Sequence, residues 1–149
     1  MKFRLIINST KRHFKWVEQQ CGINGAQLWA LWELSQTPEL RVSELAATMA
    51  MHQSTVSILL NKLVKARLIE RTRSRDDQRV VKLSITDAGR KLLLLAPKPA
   101  RGVLPEVLHL LPEDALISLD NLLAHVLKEM RLKDLDSMNR PLADILAGK

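Results

Sequence analysis

The stretch from Ser43 to Arg90, SELAATMAMHQSTVSILLNKLVKARLIERTRSRDDQRVVKLSITDAGR, changes its hydrophobic period from helical to alternating and back again. Leu45, Ala46 and Met49 repeat at i, i+1, i+4, the mark of a short helix. After a break at Ala50–Met51–His52, Val56, Leu59, Leu60 and Leu63 form a second stripe. Neither segment is long enough to hold as a helix alone, so the two stripes must face each other and a neighbour. Arg79–Ile85 then alternates apolar with polar, with Val81, Leu83 and Ile85 on one face and Lys82 and Ser84 on the other. Leu68–Arg73 alternates less cleanly and is read as its partner strand, across the polar turn Ser74–Gln78. A further helix opens near Asp87 and runs through Leu92–Leu95.

Two short helices, a hairpin and another helix are the order of a winged helix-turn-helix. The outward face of the second helix carries Ser54, Ser57, Ile58, Asn61 and Lys65, with Gln53 and Lys62 beside them. Hydroxyls, an amide, lysines and one isoleucine suit base edges, phosphates and thymine methyls; a solvated face is the plain alternative. On the hairpin, Arg71, Arg73, Arg75 and Arg79 crowd together. Their mutual repulsion is relieved by a polyanion, and a nearby aspartate such as Asp77 holds an arginine extended toward a narrow, negative minor groove. The competing reading is a charged edge that resists aggregation.

These residues resemble the MarR family of bacterial transcription regulators in a layout covering nearly the whole chain. The likeness rests on the wing sequence Asp77–Gln78–Arg79, the strand Val80–Thr86, and Asp87–Ala88–Gly89–Arg90 after it. It implies that Arg79 is the wing-tip arginine entering the minor groove and that Asp77 orients it. It also implies that Ser54–Ser57 begins the recognition helix. The chain departs from the family in three ways. Gln78 stands where many relatives have a second arginine. His52 stands where a Ser or Asp cap is usual. Ala50 and Arg67 stand where relatives often place glycine after a helix, so either a positive φ is strained there or the turns differ locally.

Charge is placed accordingly. Residues 41–93 carry eleven Lys/Arg against five Asp/Glu, residues 1–21 five against one, and residues 94–149 seven against eight. A basic central module with a near-neutral helical end fits a nucleic-acid face plus an association face. Phe3, Ile6, Ile7, Phe14 and Val17 line a basic amphipathic helix over residues 3–21. Leu116, Leu119, Leu122, Leu123, Val126, Leu127 and Met130 line another over about 112–133. Val103–Leu111 is helical if Pro105 lies in its first turn. One small winged module is too small to bury all of these faces, and the family resemblance implies that they interdigitate with a second subunit. The expected division is residues 22–99 for the winged lobe, with 1–21 and 100–149 as dimerisation helices of one intertwined domain.

No apolar run is long enough for a membrane span, Leu5–Ile7 is too short for a signal peptide, and the expected location is the cytoplasm. Cys21, the lone cysteine, rules out an internal disulfide framework. It has no basic sequence neighbour to lower its pKa, so a plain, partly buried thiol is favoured over a redox sensor. His13, His52, His109 and His125 lack metal-ligand spacing, no nucleophile–base motif or phosphate loop is present, and neither a cofactor, a metal nor an enzyme is expected. Relatives often bind small aromatic acids between the DNA-binding lobe and the dimer helices; Trp16, Trp29 and Trp32, with Arg12 and His13, are the candidates here, against the plain reading of tryptophans as core. The resulting expectation is a mainly α protein with a small antiparallel β wing. It would be a homodimeric, sequence-specific regulator on a pseudo-palindrome of double-stranded DNA, a repressor released by a small aromatic effector. The alternative is a winged-helix module that docks an acidic protein partner without specific DNA binding.

Overall fold

A reciprocal cap opens the helix on which the rest of the molecule packs. Asn24 Oδ1 accepts from the Gln27 amide at 2.9 Å, and Gln27 Oε1 accepts from the Asn24 amide at 2.8 Å. Two donors that a helix start leaves open are thereby satisfied. The computed structural model describes residues 1–73 and 80–130. Among these, the order is α1 (Lys2–Cys21), α2 (Gly25–Gln36), β1 (Leu40–Arg41), α3 (Val42–Thr48), α4 (Gln53–Lys65), β2 (Ile69–Arg73), β3 (Val81–Ile85), α5 (Asp87–Leu95), α6 (Val103–His109) and α7 (Glu113–Glu129). The capped helix is α2. Ala26, Leu28, Ala30, Leu31 and Leu34 bury nearly its whole circumference, which marks a helix at the centre of a core. It packs against α1, α3, α4, α5 and β3.

The two stripes read from the sequence meet as expected. Leu45, Ala46 and Met49 of α3 and Val56, Leu59, Leu60 and Leu63 of α4 are all buried in one cluster with α2. The turns after α3 and α4 carry Ala50 at φ 51° and Arg67 at φ 56°, so both sites place a side chain in the left-handed region that glycine ordinarily fills. His52 precedes α4 without a side-chain capping bond.

The wing is a three-stranded antiparallel sheet in the order β1–β3–β2. The strands are shorter than their sequence patterns, Ile69–Arg73 against Leu68–Arg73 and Val81–Ile85 against Arg79–Ile85. Leu68 is used instead in the turn after α4: its amide donates to Leu63 O and its carbonyl accepts from the Thr86 amide. Strand β1 has no counterpart in the sequence reading, because two residues are too few to display a period. Leu40 pairs with Leu83 and Arg41 with Lys82. At the other side of β3, Ile69 faces Ile85, and Arg73 faces Val81 at the outer end.

The Thr-x-x-Gly segment after β3 has a mechanical reason. Thr86 Oγ1 accepts from the Gly89 amide at 3.1 Å, capping α5, and donates to Arg67 O at 2.8 Å. A Cβ at Gly89 would collide with the Leu68 carbonyl, so only glycine lets α5 approach the start of the wing so closely.

The terminal helices are packed differently. Thr10, His13 and Val17, from the middle of α1 onward, are buried, whereas Phe3, Leu5, Ile6 and Ile7 near its start are exposed. The expected segment 1–21 is therefore shared between the lobe's own core and an open apolar surface. Pro105 does fall in the first turn of α6. Neither α6 nor α7 has a buried residue, and α7 ends at Glu129, short of the expected 133, with residues from 131 onward outside the described residues. No helix among the described residues is long and apolar enough to cross a membrane.

Candidate nucleic-acid interface

Helix α4 is held by one face and open on the other. With its apolar side locked into the core, Ser54, Ile58, Asn61 and Lys65 are exposed and Ser57 is half-buried. At 3.6 residues per turn these five occupy an arc of roughly 100°. Ile58, 62% exposed, is the only large apolar side chain in that arc. Gln53 and Lys62 are also exposed but lie on the two flanks of the arc rather than within it. Lys62 and Lys65 occupy the last turn, where they meet the negative end of the helix dipole. The opposite end has no acidic residue in its first turn, which leaves its positive pole suited to a phosphate.

Beside this arc stands the wing. Arg71 and Arg73 on β2 are exposed, and the register sets Arg73 at the strand end from which residues 74–79 continue. The expected contacts Arg75, Asp77 and Arg79 lie outside the described residues. One rung in from the outer end of the wing, Lys82 Nζ lies 2.7 Å from Glu39 Oε2. A groove of about 360 Å³ separates wing from helices, with Arg41, Ser43 and Gln53 along it.

The five residues assigned by sequence to an aromatic ligand do not share one crevice. Arg12, His13 and Trp16 line an open cavity of about 640 Å³ on α1, joined by Lys15 and by Lys98 from the segment after α5. Trp29 lines a separate cavity of about 50 Å³ with Phe14, Met51 and Arg101. Its indole Nε1 donates to Glu33 Oε1 at 2.6 Å, and Trp32 lies under the Arg101 guanidinium, 4.2 Å from the ring centroid. Helical spacing places Trp29 and Trp32 in one stretch of α2, but each is engaged by a neighbour. Glu33 and Arg101 were absent from the sequence reading. The i, i+4 spacing of Trp29 and Glu33 signals their contact, whereas nothing local pairs Glu33 with a residue as distant as Arg101.

Burial lowers the His13 imidazole below its ordinary value, with a hydrogen bond to the Pro99 backbone opposing the shift. Burial likewise pushes the Cys21 thiol up, against a smaller opposing effect of Lys98. A raised thiol is the reverse of what a thiolate sensor requires. Among the described residues, no three His, Cys, Asp or Glu side chains converge as a metal site would need.

Residues 22–80 match the MarR family model. The HTH-type transcriptional repressor MdtR of Bacillus subtilis is 28% identical over 119 residues, 80% of this chain and 77% of that protein. The structure of the YusO protein from Bacillus subtilis is 26% identical, with a TM-score of 0.58 over 85% of this chain and 90% of that one. A MepR variant of S. aureus, solved bound to an oligodeoxyribonucleotide, shares the fold at 24% identity and a TM-score of 0.55, over 87% and 96% of the two chains.

Proposed function

We propose that this chain, whose residues 22–80 match the MarR family model and which is similar to a curated repressor, is a homodimeric repressor of that family acting in the cytoplasm on a pseudo-palindromic operator. The observation that carries this reading is the exposed Ser54–Ser57–Ile58–Asn61–Lys65 arc, fixed from behind by the buried face of α4. In the complex, α4 lies in the major groove. Ser57 and Asn61 read base edges, Ile58 meets a thymine methyl, and Lys62, Lys65 and Gln53 hold phosphates on either side. Arg73, Arg75 and Arg79 reach the flanking minor groove, with Asp77 orienting Arg79. Two copies, joined through the exposed apolar faces of α1 and α7, present two such helices to half-sites about 10 bp apart. A small aromatic acid bound at the cavity of Arg12, His13 and Trp16 releases the DNA. That requires it to favour the conformation that binds DNA poorly.

The test is a set of binding titrations on an operator selected from a random pool. Arg79→Ala weakens binding to most duplexes, most of all those with A/T-rich flanks. Ser57→Ala and Asn61→Ala change which half-site bases are preferred, by roughly 1–3 kcal/mol for a good contact. A steep salt slope without preference for any sequence would mean phosphate attraction alone and would reject the operator reading. A stable monomer in light scattering that still binds DNA normally would reject the dimer. Quenching of tryptophan fluorescence by an aromatic carboxylate without loss of DNA affinity would reject the effector.

A further inference from the structure

The segment between α5 and α6 is tied down at three points. Lys98 Nζ donates to Leu93 O at 3.0 Å, closing the end of α5. His13 of α1 is hydrogen-bonded to the Pro99 backbone. Arg101 Nε donates to Glu33 Oε1 at 3.1 Å, across 68 residues of sequence. Gly102 follows at φ 95°, a turn only glycine makes without strain, and from Val103 to Met130 no residue is buried. Among the described residues, Arg101 is therefore the last side chain with a polar tie to the core.

That anchor is more constrained than a surface ion pair. The Glu33 side chain is 7% exposed and the Arg101 side chain 26%. The same Glu33 oxygen accepts from Trp29 Nε1, and the guanidinium rests on the Trp32 ring. An aromatic face below it and a carboxylate hydrogen-bonded to its Nε fix both the position and the plane of the guanidinium. Buried ion pairs are poor sources of stability, because desolvation offsets the attraction, and their best-attested use is to specify register. Here the register is that of the α6–α7 arm, whose α6 rests on α1, against the lobe: Arg101 directly precedes the arm, and Glu33 lies on α2, the helix packed directly on α4.

We propose that Arg101 and Glu33 are positioning residues that set the angle at which the terminal helices leave the winged lobe, and thereby the half-site spacing the dimer accepts. This rests on the homodimer-on-palindrome reading above. The leverage is sufficient. A rotation of about 10° on an arm of roughly 20 Å, the reach of a lobe this size, moves the recognition helix by about one base-pair rise of 3.4 Å.

The experiment uses the full-length protein and duplexes carrying identical half-sites at the preferred spacing, at one base pair more and one less, and as a single half-site. The variants are Arg101→Gln, Arg101→Lys and Glu33→Gln; Arg101→Lys keeps the charge but not the flat, stacked donor. The parent should prefer one spacing by about tenfold or more, and the Arg101 variants should narrow that preference to about threefold or less. Single half-site affinity, half-site sequence preference and the dimer dissociation constant should stay near those of the parent. Glu33→Gln, which keeps an acceptor for Trp29, should fall between them and the parent. An unchanged spacing profile in Arg101→Gln overturns the proposal. So does an equal loss on every duplex together with a lowered melting temperature, since that is the behaviour of a merely structural contact. If the parent itself shows no spacing preference, the homodimer reading has failed, and this proposal fails with it.

Discussion

Helices α4 and α7 carry the same kind of leucine-rich stripe, yet one is sealed inside the chain and the other is bare. Val56, Leu59, Leu60 and Leu63 lie in the core, whereas Leu122 is 65% and Leu127 50% exposed. Helical period therefore reports which face of a helix is apolar; it says nothing of what covers that face. For α4 the cover is α2 and α3, close in sequence. For α7 the chain supplies none among its described residues, and an apolar face of that extent calls for a partner. The described residues thus form a self-sufficient reading head joined to an arm whose apolar face they leave uncovered.

The sharpest way to break this contrast is to shorten one leucine from each stripe. Leu60→Ala opens a cavity in a wholly buried site, and a loss of about 2–5 kcal/mol is expected at any protein concentration. Leu127→Ala should leave the folded monomer within about 0.5 kcal/mol but raise the dimer dissociation constant, so its apparent stability should depend on concentration. Denaturation at two concentrations separated a hundredfold checks both. A concentration-independent loss of similar size in the two variants would show that α7 is buried within its own subunit.

His13 sits where the two regions meet, on α1 and against the Pro99 backbone, and its effect should be smaller. Burial holds its pKa below the ordinary value of 6.5, so the folded state favours neutral imidazole while the unfolded chain takes up a proton more readily. The sign follows from linkage: the stabilisation is present above pH 6.5 and is lost as pH falls through the lower, folded value. Melting temperatures measured from pH 7.5 down to 5 should decline more steeply in the parent than in His13→Gln. Parallel curves would mean that the ring is hydrated rather than buried.

What the sequence made legible divides along the same line. The α3–α4 pair, the wing strands and α5 were readable because each buries a periodic face against near neighbours. The missing cap at His52 was readable for the same local reason, whereas at Ala50 and Arg67 the sequence left strained and altered turns both open, and the structure has the left-handed form. Strand β1 was too short to show a pattern, and the left-handed Glu39 before it carries no sequence mark. The Glu33–Arg101 tie, and the approach of Lys98 to the cavity of Arg12, His13 and Trp16, join residues distant in sequence. Contacts of that kind are set by tertiary packing, which no local period encodes.

The smallest expected effect tests whether the self-sufficient region is itself free of strain. After α3, the Ala50 amide donates to Ala47 O and the Met51 amide to Ala46 O; after α4, Arg67 and Leu68 donate to Val64 O and Leu63 O in the same way. This is the paired ladder of a helix end that turns through a left-handed residue. Every bond in it is made by backbone, so glycine at either position keeps them all and removes the clash of Cβ with the following carbonyl. Against that relief stands the greater freedom of glycine in the unfolded chain, worth about 0.4–1 kcal/mol. Ala50→Gly should therefore stabilise the protein by about 0.5–1 kcal/mol, seen as a rise in the denaturation midpoint that is independent of protein concentration. Arg67→Gly should gain similarly and show a slightly flatter salt dependence of DNA binding, because one cation is lost near the wing. A fall in midpoint for Ala50→Gly would mean that the turn holds Ala50 outside the left-handed region, and the strain assigned to the reading head would then be absent.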